Sequence, residues 1–258
     1  MGESVLYSRK GNVGFITFNR PHRLNAINEG FLDDFMDALI RAARDDEAVT
    51  VVMTGAGEKA FCAGEDLKET SSGKNFQKWI TEADKLQDVQ RLTLRLNKPL
   101  IGMVRGWAVG GGCEFALSCD FRIAGETAKF GFPETGIGLT ITQAGTKLLT
   151  QIVGLGKAKE LAFTGEFIDA AEALRIGMVN YVFPEAELEQ KTLEFCEKIG
   201  KRSPLSLRLT RSAIDLGMSC SFDEILEIEA AHLMAVGGGG NEKFFLERRM
   251  QEHGMKKD

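Results

Sequence analysis

The uninterrupted apolar run VTVVM at residues 49–53 constrains the fold more than any other stretch. A strand of that composition is buried on both faces, which is the signature of a parallel sheet covered by helices. A second such run, LIGMV at 100–104, follows Lys98-Pro99, and β-like runs stand at 13–18 (VGFITF), 121–124 and 179–183. Helical patterns lie between them. Asn28 can cap a helix whose apolar face is Phe31, Phe35, Leu39 and Ala42. After a polar loop at 70–74, a longer helix is expected to carry Phe76, Trp79, Ile80, Ala83, Leu86, Gln90 and Leu94. Residues 145–153 and 157–163 read as helices, and Asp169 caps a further short one. Buried strands alternating with helical crossovers mean α/β architecture.

Beyond Pro184 the texture changes. Residues 186–201, 204–218, 222–236 and 242–253 are four helical segments with no strand between them, and a glycine run, Gly237 to Gly240, joins the last two as a flexible link. The expected division is a strand-and-helix part at 1–197 and a helical region at 198–258. That region is too small for a large core of its own and is expected to pack against another subunit.

Composition narrows the function classes. Of the 258 residues 43% are hydrophobic and 27% charged, enough for a full core and a solvated surface. The net charge of -5 and the lack of a basic stripe speak against nucleic-acid binding, and an anionic ligand must be met by local positive groups. No apolar run reaches membrane-spanning length and the N-terminus has no long apolar core of a signal peptide, so no membrane association is expected. Five cysteines, without a CxxC pair, suit reduced thiols in a cytoplasmic compartment. Three histidines, none near another, give a metal site little support.

Chemistry concentrates at 107–138, WAVGGGCEFALSCDFRIAGETAKFGFPETGIG. Gly110-Gly111-Gly112 leads directly into Glu114 and an apolar helix start. Glycines ahead of a helix let a ligand approach N–H groups that have no intrahelical partner. A second glycine-led turn, Ala63-Gly64-Glu65, offers the same equipment. Two N–H groups aimed at one carbonyl oxygen would form an oxyanion hole; ordinary strand-to-helix turns use the same residues. Glu114 and Glu134 can form a general acid/base couple. Glu134 lies in the aromatic, proline-fixed setting FGFPETG, where desolvation raises a carboxyl pKa. His22, Arg23 and Lys68 are candidates for an anionic ligand, with solvated surface charge as the alternative. Phe76 and Trp79 could line an apolar pocket or simply pack. Cys62 and Cys113 read as buried structural thiols.

The motifs NRPHRLNAI, FCAGEDLKE, AVGGGCEFALSCDFRIA, FGFPETGIG and FTGEFIDAAEALRIGMVNYV, in this order and spacing, resemble the enoyl-CoA hydratase/isomerase (crotonase) superfamily from about residue 13 to 182. The resemblance implies a crotonase-like (ClpP/crotonase) spiral of ββα units with a C-terminal all-helical trimerisation region, assembled as a homotrimer or a hexamer. It implies an oxyanion hole from the backbone N–H groups of Glu65 and Gly111, holding the thioester carbonyl of an acyl-CoA. It implies that Glu134 protonates Cα and Glu114 activates water, with no metal or redox cofactor. His22, Arg23, Leu24, Ala63 and Lys68 fall where the family contacts coenzyme A.

The chain departs from the family pattern in three places. Thr142, in ITQAGT, stands where a glycine is common, so the acyl pocket is expected to be narrower or more polar. Glu65 replaces a commoner apolar residue, and the tail ERRMQEHGMKKD lacks the usual proline-aromatic ending. The expected reaction is hydration of a trans-2-enoyl-CoA; double-bond isomerisation, acyl-CoA hydrolysis and non-catalytic acyl-CoA binding are the alternatives. A serine-peptidase reading lacks a serine–histidine partnership.

Overall fold

A computed structural model describes residues 3–71, 73–238 and 240–252; His253 and the residues after it, Ser72 and Gly239 lie outside the described residues. Six strands form the larger sheet: β1 (Val5–Lys10), β2 (Val13–Phe18), β3 (Thr50–Gly55), β5 (Leu100–Val104), β7 (Phe121–Gly125) and β10 (Tyr181–Phe183). Only β1 and β2 pair antiparallel, joined by a tight turn with Gly11 at φ +61°; every later neighbour is parallel. β3 and β5 are buried along nearly their whole length, as uninterrupted apolar runs require.

The chain also builds a second sheet that the sequence patterns do not reveal. β4 (Ala60–Cys62), β6 (Trp107–Val109), β8 (Lys129–Gly131) and β9 (Ile168–Asp169) are two or three residues long, too short to show an alternation. After β3, β5 and β7 in turn, the chain drops into this small sheet and then enters a helix. That recurrence is a spiral of ββα units, and it sets the starts of the following helices side by side at one edge. At the β5–β6 corner Gly106 has φ +61°, and a Cβ there would come within 2.1 Å of the Lys59 carbonyl oxygen.

The helices cover both sheets. α1 (Glu29–Arg44) starts where Asn28 accepts a hydrogen bond from the Phe31 N–H at 3.0 Å. It buries Phe31, Phe35, Leu39 and Ala42 on one face. Phe18, Phe31, Phe35, Phe61 and Phe115 share one cluster with ring centroids 5.0–6.3 Å apart. Each such pair adds about 0.5–1.5 kcal/mol beyond its burial. Phe115 matters most, because it belongs to α4 (Gly111–Leu117) and is the next residue after Glu114. The far end of α4 is held by the buried Arg122 guanidinium, which donates to the carbonyls of Leu117 and Cys119.

α2 (Leu67–Ser71) takes in part of the expected polar loop, and α3 (Phe76–Leu94) departs from its expected face. The residues α3 buries are Glu82, Val89, Gln90 and Thr93, whereas Phe76, Ile80 and Leu94 are exposed. The buried polar groups are partnered. Gln90 donates to the Ser118 hydroxyl at 2.8 Å, and Thr93 to the Val89 carbonyl at 2.9 Å. The helices α5 (Gly145–Val153), α6 (Leu155–Thr164) and α7 (Ala170–Arg175) follow, the last capped by Asp169. α8 (Leu188–Gly200) lays Leu188 and Cys196 against Val13, Val52 and Ile101 of the large sheet. α9 (Pro204–Gly217), α10 (Phe222–Gly237) and α11 (Asn241–Glu252) lie beyond it, and α10 buries no residue. Among the described residues no helix is long and apolar enough to cross a membrane.

Candidate active site

The two glycine-led turns come together. Gly64 has φ +78°, and a Cβ there would lie 2.5 Å from the Val109 carbonyl oxygen and 3.5 Å from the Gly111 nitrogen. A side chain at this position is excluded by both conformation and space. Ile27 donates to the Gly64 carbonyl at 2.7 Å and accepts from the Asp66 N–H at 2.9 Å, a pairing that brackets Glu65 and does not use the Glu65 N–H. The Gly110 N–H already donates to the Gly131 carbonyl at 2.9 Å. Gly111 is the first residue of α4, where an N–H has no intrahelical acceptor. A Cβ on Gly112 would strike the Cys62 carbonyl oxygen at 2.1 Å. The glycine run is therefore what lets α4 abut β4 and bring the Glu65 and Gly111 turns to one place.

Glu114 and Glu134 stand beside these donors in contrasting environments. Glu114 is 1% exposed; its Oε1 accepts the Thr142 N–H at 3.0 Å and its Oε2 the Thr142 hydroxyl at 3.3 Å. Burial pushes its carboxyl up to about 7, the Thr142 N–H pulls it down, and the nearby Glu134 charge raises it further. Glu134 opens a short 3-10 turn, Glu134–Ile137, after Pro133. It is 8% exposed, and among the described residues no other residue donates to its two buried carboxyl oxygens. Burial holds this carboxyl above the ordinary range. A Cβ on Gly110 would sit 3.1 Å from Glu134 Oε1, so the second carboxylate reaches back to the glycine run.

The two turns and Glu134 border a cavity of about 220 Å³. Glu65, Gly111, Glu134, Thr142 and Gln143 line it from the turns, and Trp79 and Glu82 from α3. Thr142 thus lies between Glu114 and the cavity. Phe76, expected to line an acyl pocket with Trp79 and Thr142, is a correction: it is 80% exposed and does not line the cavity. It sits at the first residue of α3, one turn outside Trp79, where the wall begins. Of the residues expected at coenzyme A, Leu24 and Ala63 are joined directly. His22, Arg23, Leu24 and Lys68 are exposed, and the Ala63 N–H donates to the Leu24 carbonyl at 3.0 Å. Cys62 and Cys113 are buried, and burial pushes both thiols up, Cys62 to about 12.

Three further residues of the site were not singled out from sequence. Gln143 is 1% exposed at φ +50°, and its Oε1 is buried without a partner in the same cavity. Lys74 and Glu82 form an ion pair, and the same ammonium pairs with the Glu65 carboxylate. The signal for Glu82 was its spacing: it lies seven, eight and eleven residues before Val89, Gln90 and Thr93, on one helical stripe. A glutamate on a buried stripe needs a partner: Lys74 supplies an ammonium, while burial and the adjoining Glu65 push the Glu82 carboxyl up to about 7.

The enoyl-CoA hydratase/isomerase family model matches residues 8–251 of the chain. The chain is 42% identical to a short-chain-enoyl-CoA hydratase of Clostridium acetobutylicum over 88% of its own length and 87% of the relative's. It is 39% identical to a crotonyl-CoA hydratase of Syntrophomonas wolfei over 88% and 87% of the two. Among solved structures, the 1.8 Å crystal structure of an enoyl-CoA hydratase from Bacillus anthracis superimposes with a TM-score of 0.92 at 33% identity, covering 96% of each chain.

Proposed function

The chain belongs to the enoyl-CoA hydratase/isomerase family, and we propose that it adds water across the double bond of a trans-2-enoyl-CoA to give the 3-hydroxyacyl-CoA. The Glu65 and Gly111 N–H groups bind the thioester oxygen, where negative charge grows as the π electrons move toward it. Such a donor contributes about 3–4 kcal/mol to the transition state in comparable sites. Water attacks Cβ and gives its proton to Glu114. Glu134 gives a proton to Cα, and exchange between the two carboxyls through solvent restores the starting state.

Burial raises both carboxyls, and the hydrogen bonds support this division of labour between them. Two donations from Thr142 favour the anionic form of Glu114, which suits a base. Glu134 is buried, and its own backbone N–H is the one group that supports its charge, which suits an acid. The buried Glu134 carboxyl beside the two backbone donors is the observation that carries this reading. Coenzyme A enters as part of the substrate, and the reaction needs no metal or redox group.

The exposed apolar residues of the helical tail support self-association as a homotrimer or a hexamer. Phe222, Leu226, Leu233 and Met234 on α10 are all at least 60% exposed, an uncovered apolar face of the kind that marks an interface. Five unpaired thiols fit a reducing, cytoplasmic setting.

Glu134→Gln tests the mechanism. It is expected to lose hydration of crotonyl-CoA by at least a thousandfold while still binding the ester, and near-normal turnover would sink the assignment. Mass analysis of the wild-type products separates hydration from isomerisation or thioester hydrolysis.

A further inference from the structure

The site cavity has a neighbour. A second cavity of about 220 Å³ lies on the other side of the α3 start, lined by Leu32, Gly73, Gln77, Thr81 and Lys85 among others. Glu82 lines both cavities, and Lys74 lines the second while pairing with Glu65 and Glu82, which line the first. The Lys74 ammonium also lies 4.9 Å from the ring centre of Trp79, in the wall of the site cavity. The side chains of Lys74 and Glu82 are each only 10% exposed. A buried ion pair thus stands as a partition between two spaces.

We propose that the Lys74–Glu82 pair closes the acyl end of the site and restricts the protein to short acyl groups. This rests on the acyl-CoA reading above. With the thioester oxygen at Glu65 and Gly111, the acyl group extends into the cavity of about 220 Å³ whose α3 wall carries Trp79 and Glu82. A longer chain meets the partition. Its apolar end would have to displace a carboxylate and an ammonium that have little water to replace the bonds between them. Displacing Lys74 also disturbs Glu65, because the Lys74 ammonium and the Thr70 hydroxyl both hold the Glu65 carboxylate. The residue whose N–H binds the thioester is therefore anchored to the same pair that ends the pocket.

Binding of saturated butyryl-CoA and octanoyl-CoA, which cannot be hydrated, tests the partition without relying on turnover. Calorimetry on the wild type, the double variant Lys74→Ala/Glu82→Ala and the single variant Glu82→Gln gives the ratio of the two affinities. Circular dichroism and melting confirm that each is folded. The wild type is expected to prefer the short ester, and the double variant to shift the ratio toward octanoyl-CoA at least tenfold. Glu82→Gln, which keeps the wall's volume and a bond to Lys74, is expected to stay within about threefold of the wild type. Equal wild-type affinity for both esters, or a double variant with the wild-type ratio, overturns the proposal. A wild type that binds both with the expected preference yet hydrates no enoyl-CoA overturns the hydratase reading and leaves the partition standing.

Discussion

Replacing Glu114 with glutamine is expected to stabilise the protein at alkaline pH while abolishing its turnover. The folded state holds this carboxyl at about 7, mainly through burial, against an ordinary value of 4.5. Between those values the folded protein keeps a proton that the unfolded chain has lost. Stability from this group is therefore fully present below about pH 4.5, declines as the pH rises, and is lost above pH 7. At about 1.36 kcal/mol per pK unit, the ionised, buried carboxylate costs on the order of 3 kcal/mol at pH 8. Glutamine fills the same space without titrating. Its oxygen can accept the Thr142 N–H and its amide can donate to the Thr142 hydroxyl, so neither bond need be lost. The stability gap between variant and wild type should widen by about 2–3 kcal/mol from pH 5 to pH 8. For a chain of this size that is roughly 5–10 °C in melting temperature. Melting of both proteins at matched concentration measures it, since assembly makes the transition concentration-dependent. Titrating groups that do not sense the Glu114 charge cancel in the comparison; the interaction with Glu134 is part of the gap itself. A gap that is the same at both pH values, within about 0.5 kcal/mol, refutes the claim that the Glu114 charge is desolvated in the fold.

Three other outcomes follow from the same geometry. Gly64→Ala forces a side chain into φ +78° and against the Val109 carbonyl; it is expected to cost about 2 kcal/mol or more in denaturant unfolding and to remove most activity by spreading the two turns. Thr142→Val keeps the N–H bond to Glu114 but deletes the hydroxyl bond, so the acidic limb of the rate profile should move to higher pH as the base becomes harder to ionise; an unchanged limb counts against Glu114 as the base. Phe115→Ala opens a hole in the aromatic cluster behind α4, with an expected loss of about 3–5 kcal/mol by urea titration.

Much of the fold was legible because its signals are long. The buried runs at β3 and β5, the Asn28 cap and the apolar face of α1 all repeat over several residues, so periodicity finds them. The small sheet has no such signal. Three-residue strands such as β4 and β8 cannot display a period, and they exist because the ββα spiral places them side by side. The misjudged face of α3 has another cause. Its apolar residues Phe76 and Ile80 look outward, while Glu82 turns inward because Lys74 is there to meet it; Gln90, expected on the inner face, is buried against Ser118. Hydrophobicity assigns a helix face only where polar residues lack buried partners, and those partners are distant in sequence. The same limit hid Lys74 and Gln143, whose meaning depends on what faces them.

Buried polar groups in this molecule divide by whether the fold satisfies them. Asn25, fully buried at φ +55°, donates to the Ala56 and Ala60 carbonyls and accepts from the Arg20 N–H, so its role is to hold the loop before α1. Arg122 is likewise met by three carbonyls. Glu134 and Gln143 differ: among the described residues no other residue donates to their buried oxygens, which face one cavity. Elsewhere among the described residues Glu242 carries a single unpartnered oxygen, and it does not line this cavity. Unpaired buried acceptors cost stability, and a fold that concentrates them at one place leaves room there for a donor. A water molecule brings two O–H groups, and in the proposed reaction it would lie at this cavity between an acyl carbon and Glu134. The arrangement that stability alone disfavours is the one that hydration requires.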